Sequence, residues 1–512
     1  MTGPSLPPAT DYDRIVYPNN PLPDARPSRI AAIASLLGFK AAAPGNCRVL
    51  ELGAGHGGHL IPLALAHPQS RFVGVDLAGT AVARGQATIR ELGLENITLE
   101  QADLTTFTSQ EPFDYVLANG VYSWVAPDVQ RLLLATCQRL LAPRGLAFVS
   151  YATYPGCHQR KMVRDMMRFH VARLARDRNV VAEGQSFARF IRQYQIGGEA
   201  YGRTIDQELL RMQKHGAQYA FHDDFSEYNS PVYFSDFVQH AREQGLDFFA
   251  EGLFLFFQEA RLPLPATRTV EEFSGSDLVA REQYLDFLRG RSFRQSLLCH
   301  AGERPAGEWQ LSSLLQLNAA SALKSKTPEV GLDDATAEVF VSEDGVSLSS
   351  DKRIVRAAIK TLGELWPRAL PVSELFTLAV QRCGHGGEAN QTVLLSALLR
   401  AAAAKLVELD SVPPQVAAGV SDQPRASRLA RLQARSARSV TNLWHRQFTL
   451  DSEPSRHLLT LLDGQRSHAE LAQGMLEFFA ALTGAQHPTS AEVHAELPRV
   501  LAGFSRGALL EA

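Results

Sequence analysis

Between Cys47 and Tyr151, short apolar runs alternate with stretches whose apolar positions recur every three or four residues. The runs Arg48-Val-Leu-Glu-Leu52, Arg71-Phe-Val-Gly-Val75, Ile97-Thr-Leu-Glu100, Phe113-Asp-Tyr-Val-Leu117 and Leu146-Ala-Phe-Val-Ser150 read as strands, and Thr80 to Leu92 and Val129 to Leu141 as helices. This alternation predicts an α/β fold with a parallel, doubly wound sheet. From Lys161 to His300 the pattern becomes mostly helical, with amphipathic segments at Tyr233 to Gln244 and Gln283 to Cys299. A hairpin-like pair, Glu338-Val-Phe-Val-Ser342 and Val346-Ser-Leu348 around Asp344-Gly345, precedes three helical stretches and a short strand, Leu406-Val-Glu-Leu409. That order predicts a winged-helix-like module. The remainder opens on a basic run at Arg425 and ends in amphipathic helix. The expected divisions are a lid or leader with a first helix (1–45), a cofactor domain (46–152), a helical domain (153–305), the winged-helix-like region (335–413) and a substrate-associated tail (425–512).

Length and composition agree with several cores. A chain of 512 residues exceeds what one core usually organises, and about one domain per 150 residues suggests roughly three. Apolar residues are 45% and charged residues 21%, the balance of a soluble globular protein. A net charge of −3 offers no whole-chain footprint for nucleic acid. The five cysteines, Cys47, Cys137, Cys157, Cys299 and Cys383, are widely spaced and never C-x-x-C, against a disulfide framework or structural zinc. The start lacks a basic-then-apolar signal pattern and no run is apolar enough to span a bilayer, so a cytoplasmic protein without a membrane segment is expected.

The sharpest local signal is Leu50-Glu-Leu-Gly-Ala-Gly-His-Gly-Gly58, between a strand and a helix. Gly53, Gly55 and Gly57 let the turn approach a ligand or adopt positive φ. Asp76 ends the second strand, where it can accept hydrogen bonds from both hydroxyls of a ribose. A nucleoside cofactor follows. Gly53-x-Gly55-x-x-Gly58 with an acid about twenty residues on also satisfies a dinucleotide fingerprint, so a nicotinamide or flavin enzyme is the competing reading. Three features favour S-adenosylmethionine, which has no pyrophosphate to seat. Glu51 can hold its amino-acid end, Asp103 can reach an adenine amine, and Leu141-Ala-Pro-Arg-Gly145 precedes a fifth strand. Leu77 and Leu104, following the two acids, join the cofactor set. Gly58 serves equally well as a packing glycine, and Asp103 as a turn cap. His56 and His59 read as solvated loop residues, and no metal is expected.

Longer motifs extend this reading: Tyr12-Asp-Arg-Ile-Val-Tyr17-Pro, Glu51 to Gly58, Gly120-Val-Tyr-Ser-Trp124, Tyr154-Pro-Gly-Cys-His158, Val163-Arg-Asp-Met-Met167, Gln283-Tyr-Leu-Asp-Phe-Leu288 to Leu298, Leu365-Trp-Pro-Arg-Ala-Leu370 and Val440-Thr-Asn-Leu-Trp-His445. Together they resemble bacterial class I methyltransferases carrying a methyltransferase regulatory domain, a group that includes rickettsial-type protein lysine methyltransferases. The resemblance implies a Rossmann-like cofactor domain, a regulatory or dimer-associated helical domain and a C-terminal portion concerned with substrate. A homodimer is thus among the expectations. Two positions depart from the pattern: Ala54 stands where Cys is common, and Asn119 where His is common. Asn119 ends the fourth strand, facing the expected methyl-transfer position, so its change bears on the acceptor.

A lysine amine of a protein is the preferred acceptor. With a reference pKa near 10.4, only about one such amine in a thousand is neutral at pH 7.4, an apparent cost of roughly 4 kcal/mol that the site must help meet. Tyr122 and Trp124 are expected to form an aromatic wall, with the Tyr122 hydroxyl orienting the amine, and His158 with Tyr154 follows on the same carboxyl edge. Tyr12 and Tyr17 are expected to fold over the cofactor as a lid. Asp223, Asp224 and Glu227 beside Tyr228 fit a solvated helix face as well as a peptide-attracting group. A small-molecule methyltransferase, with the tail as dimer or lid element, is the second reading. A nucleic-acid-binding regulator is a third, resting on the stripe Arg425, Arg428, Arg431, Arg435 and Arg438, for which a solvated linker helix is the stronger account.

Overall fold

The computed structural model describes residues 17–174, 178–254, 262–305, 309–332, 334, 336–482 and 487–512. Its centre is a seven-stranded sheet in the order β3-β2-β1-β4-β5-β7-β6. The strands are β1 (Arg48–Leu52), β2 (Arg71–Asp76), β3 (Ile97–Gln101), β4 (Phe113–Ala118), β5 (Leu141–Ala152), β6 (Leu246–Glu251) and β7 (Phe293–His300). The first five run parallel, while β7 is antiparallel to both β5 and β6. Successive side chains face opposite sides, as a period of two requires. Val49 packs with Phe72, Tyr115 and Leu117 on one face, Leu50 with Val75, Val116 and Ala118 on the other. Helices Pro27–Leu36, Leu60–Ala66 and Gly79–Leu92 contribute apolar side chains to the first face, and Pro127–Leu140 and Phe234–Glu243 to the second.

The five parallel strands lie where the sequence places them, but the sheet does not end at residue 152. The segment Gln283 to Cys299, expected as amphipathic helix, is the end of helix Leu278–Arg289 followed by β7, and the apolar stretch after Gly245 supplies β6. The reason is burial. Strands covered on both faces lose the two-residue alternation and cannot be told from buried helix by periodicity. A charged network pins this edge: Arg294, fully buried, bonds to Asp286 (2.8 Å), Glu251 (2.9 Å) and Glu282 (3.0 Å).

Helices Cys157–Val171, Val180–Tyr194, Glu199–His215 and Ala217–Phe225 share a small core around Val163, Met167, Ile205 and Met212. Of the acidic group beside Tyr228, Glu227 is solvated as expected, but Asp224 is buried between Arg211 (2.6 Å) and Arg160 (3.3 Å). Strands Asn318–Ala320, Leu370–Pro371 and Glu408–Asp410 join helices Arg353–Leu365, Val372–Cys383 and Glu388–Ala403. The expected hairpin is present as Glu338–Val341 with Ser347–Ser350, turning at Gly345 with φ +80°. The core of the first sheet face continues into this module through Leu314, Leu362, Leu375 and Leu409.

From Ala426 a separate core forms under helices Arg428–Ala434, Glu453–Leu461, His468–Ala481 and Ser490–Arg506, with the hairpin Ser439–Thr441 and Gln447–Thr449. The arginines of the basic run are mostly exposed, and only Arg428 and Arg431 lie within the helix. Arg428 donates to the Leu92 carbonyl (3.1 Å) and Arg435 pairs with Glu91 (2.7 Å), so both sit at the negative end of helix Gly79–Leu92. All five cysteines are free and buried. Among the described residues no helix is long and apolar enough to cross a membrane.

Candidate cofactor and acceptor site

Parallel strands deliver their carboxyl ends to one edge of the sheet, and a ligand crevice forms where the strand order reverses, here between β1 and β4. The loop after β1 turns at Gly53, Gly55 and Gly57, with φ of +80°, +53° and +74°. A side chain at Gly53 would also place Cβ 2.5 Å from Val121 of the loop after β4, so the two loops touch across the crevice. Gly53 and Ala54 donate to the Val75 carbonyl (2.8 and 3.0 Å), tying the loop to β2.

Asp76, at the end of β2, organises this loop: one carboxylate oxygen accepts from Gly55 N and the other from Ala78 N, each at 2.8 Å. Leu77 follows, its carbonyl accepting from Gln101 Nε2 (3.1 Å). Glu51 is only 3% exposed, and its Oε2 has no hydrogen-bond partner. Burial, with repulsion from Asp76 adding to it, raises its pKa well above the ordinary glutamate value. Asp103 is exposed, and its Oδ1 caps the Thr105 turn, accepting from the backbone N–H (2.8 Å) and the hydroxyl (2.7 Å); Leu104 beside it is buried. Asn119, after β4, accepts from the Ser150 hydroxyl, which in turn accepts from Gly120 N, both at 2.8 Å. With its carbonyl engaged, the amide NH2 is what Asn119 can offer a ligand.

The side chains expected at the acceptor differ in their surroundings. Tyr122 is fully buried in the second core, its ring edge-on to Phe237 and Tyr151 and its hydroxyl bonded to His240 Nδ1 (2.7 Å). It is a packing residue and does not line the crevice, because helix Phe234–Glu243 closes over it. Trp124 is half-buried, and its indole N–H has no hydrogen-bond partner. His158 is exposed, stacked on Tyr154 at 4.1 Å and 3.2 Å from the Tyr233 hydroxyl. Tyr154, His158 and Tyr233 thus form a ring cluster beyond β5, to which Phe287 adds an edge contact.

Tyr12 lies outside the described residues. Tyr17 packs edge-on against Tyr219 and His222. Beyond it the chain lies across the glycine loop: Asn19 donates to the Ala54 carbonyl (3.0 Å), and a Cβ at Gly58 would fall 2.0 Å from the Asn19 carbonyl oxygen. Gly58 is therefore required by this strap. His59 is buried and His56 half-buried, so neither is a fully solvated loop residue. Burial lowers their pKa to about 4 and about 3, with Arg84 adding to the effect at His56 and a carbonyl of Ala25 opposing it at His59. No group of three metal-ligating side chains occurs among the described residues. Asn19, His59, Ser150 and Tyr233 escape sequence reasoning because each matters through a partner distant in the chain.

Comparison with known proteins agrees with this geometry. A methyltransferase domain family matches residues 49–145, a predicted methyltransferase regulatory domain 216–300, and the PKMT C-terminal winged helix domain 422–506, so the matched winged helix falls on the tail and not on the expected region 335–413. An uncharacterized protein of Rickettsia prowazekii, RP789, is 30% identical over 361 residues, which is 69% of this chain and 65% of that relative. A ribosomal RNA small subunit methyltransferase G of Methylococcus capsulatus is 41% identical over only 76 residues, 15% of this chain and 37% of that relative. In fold, the chain is similar to PKMT2 from Rickettsia typhi in complex with AdoHcy, with a TM-score of 0.84 and 24% identity over 96% of this chain and 99% of that one. The sheet and the glycine loop coincide with the matched methyltransferase domain at residues 49–145, and the chain spans 65% of the length of the Rickettsia prowazekii relative. The matched regulatory and winged-helix domains follow it in the chain, and the fold resembles that of the rickettsial PKMT2 along nearly its whole length.

Proposed function

We propose that the protein transfers a methyl group from S-adenosylmethionine to a lysine side chain of a protein acceptor. The observation that carries the cofactor reading is Glu51, a buried carboxylate at a strand end with an unpartnered oxygen beside a glycine loop. Such a group costs stability unless a ligand completes it. Glu51 would hold the ammonium of the cofactor's amino-acid end, Asp76 the ribose hydroxyls, and Leu77, Asp103 and Leu104 the adenine side. The glycine loop would bring backbone close to the ligand, with Tyr17 and the strap across the entrance. The bound cofactor supplies a sulfonium methyl for in-line displacement by the acceptor.

The remaining work falls to this chain's own residues. Asn119 would orient groups near the methyl position. Trp124 would border the approach of the acceptor, and Tyr154, His158 and Tyr233 would wall it with rings that displace water and favour the neutral amine. The lysine acceptor is supported by the PKMT winged-helix match and the PKMT2 fold. Labelled cofactor incubated with the protein and a fractionated lysate tests the acceptor class: protease-sensitive label is expected, whereas nuclease-sensitive or dialysable label contradicts the reading.

A further inference from the structure

We propose that His445, at the tip of the C-terminal hairpin, is a positioning residue for the cofactor loop, so that docking of the winged-helix domain and filling of the cofactor site are coupled. His59 ends the glycine loop and is the residue before helix Leu60–Ala66. Its Nδ1 accepts from Leu22 N (3.2 Å) and lies 2.8 Å from His445 Nε2, a pair 386 positions apart in the chain. The two rings meet edge-on with centroids 4.7 Å apart, and both residues are buried. Facing the Leu22 N–H, Nδ1 is the acceptor nitrogen of His59, and its one lone pair is shared between that N–H and the Nε2–H of His445. Burial, above all, lowers both imidazoles into the neutral form, which this donor and acceptor pairing requires.

The hairpin turn is built to hold that ring. His445 has φ +60°, its N–H bonds to the Asn442 carbonyl, and Asn442 and Leu443 are tied to Gly507 and Ala508 of the chain end. A second route runs through the strap. Gln447 bonds to Asn20, Asn20 to Tyr219, and Arg26 lies between Trp444 (5.5 Å) and Asp410 (2.9 Å), while Asn19 and Leu22 grip the loop below. The strap is thus clamped between the hairpin and the glycine loop. Whatever shifts the hairpin shifts the loop, and linkage requires the converse.

The inference rests on the loop being the cofactor site, so S-adenosylhomocysteine binding to the wild-type full chain is measured first by calorimetry; no binding would overturn the cofactor reading itself. Given binding, His445→Phe, which keeps the ring but not the donor, is expected to weaken it by about tenfold, a common size for coupling between linked sites. His445→Gln, whose amide can replace the Nε2–H, is expected to recover most of that loss. In turnover the defect should fall on KM for the cofactor more than on kcat. Wild-type affinity in a folded His445→Phe, or a His445→Gln as weak as it, would overturn the coupling. Hydrogen exchange on the wild-type chain covers the case where variants fail to fold: the ligand should slow exchange at residues 441–447, and unchanged exchange there under saturating ligand would also overturn it.

Discussion

Glu51 sets a stability cost at the residue scale. Its carboxyl is buried, repelled by Asp76, and raised well above its ordinary pKa near 4.3. In the ligand-free fold it therefore holds its proton to higher pH than it does unfolded, and stability falls as pH rises from the unfolded value through the raised one. Glu51→Gln should melt higher than wild type at the upper end of that range, converge with it at acid pH, and bind S-adenosylhomocysteine more weakly. Wild-type affinity should itself climb with pH over the same window, because the ammonium favours the ionised carboxylate. Melting curves and calorimetry across pH check both signs. Tyr122 carries the opposite expectation. With its hydroxyl committed to His240 inside the core, Tyr122→Phe should lose about 1 kcal/mol of stability in urea unfolding and leave turnover nearly intact.

At the scale of elements, the antiparallel pair β6 and β7 depends on an unusual anchor. Arg294→Met would leave buried Glu282 without a cation and Glu251 and Asp286 with Arg291 alone, at a cost of roughly 3–5 kcal/mol. Because protonation relieves unpaired carboxylates, the deficit relative to wild type should shrink as pH is lowered; denaturant unfolding at two pH values measures it. The same elements show where sequence reading stops. β1 to β5 and the turns at Gly53, Gly55 and Gly57 were legible because their signals are local: an apolar run, a glycine, an acid at a strand end. β6 and β7 were not, since Leu246–Glu251 and Ser296 to Cys299 are buried on both faces and carry no alternation. Nor was the burial of Tyr122, which is decided by a helix more than a hundred residues later. His59 reads as a polar loop residue until His445 is placed against it.

At the scale of the whole molecule, the chain folds back on the carboxyl edge of its own sheet. The sheet shares one apolar core with the module that includes Leu314 and Leu409, the C-terminal unit keeps its own core, and its hairpin reaches the glycine loop. Residues 17–29 lie where these parts converge, bonded to the loop, to Tyr219 and to Gln447. An acceptor arriving at Trp124 and the ring cluster of Tyr154, His158 and Tyr233 would therefore approach a crevice bordered by more than the catalytic sheet. That arrangement suits a folded or peptide acceptor held by surfaces beyond the reacting amine. The most direct measurement is to incubate the purified protein with methyl-labelled S-adenosylmethionine and lysate protein, hydrolyse the labelled protein in acid and chromatograph the amino acids. Label in N-methylated lysine, greatly reduced with Glu51→Gln, is the predicted result; label in any other amino acid, or as base-labile ester, would contradict the account.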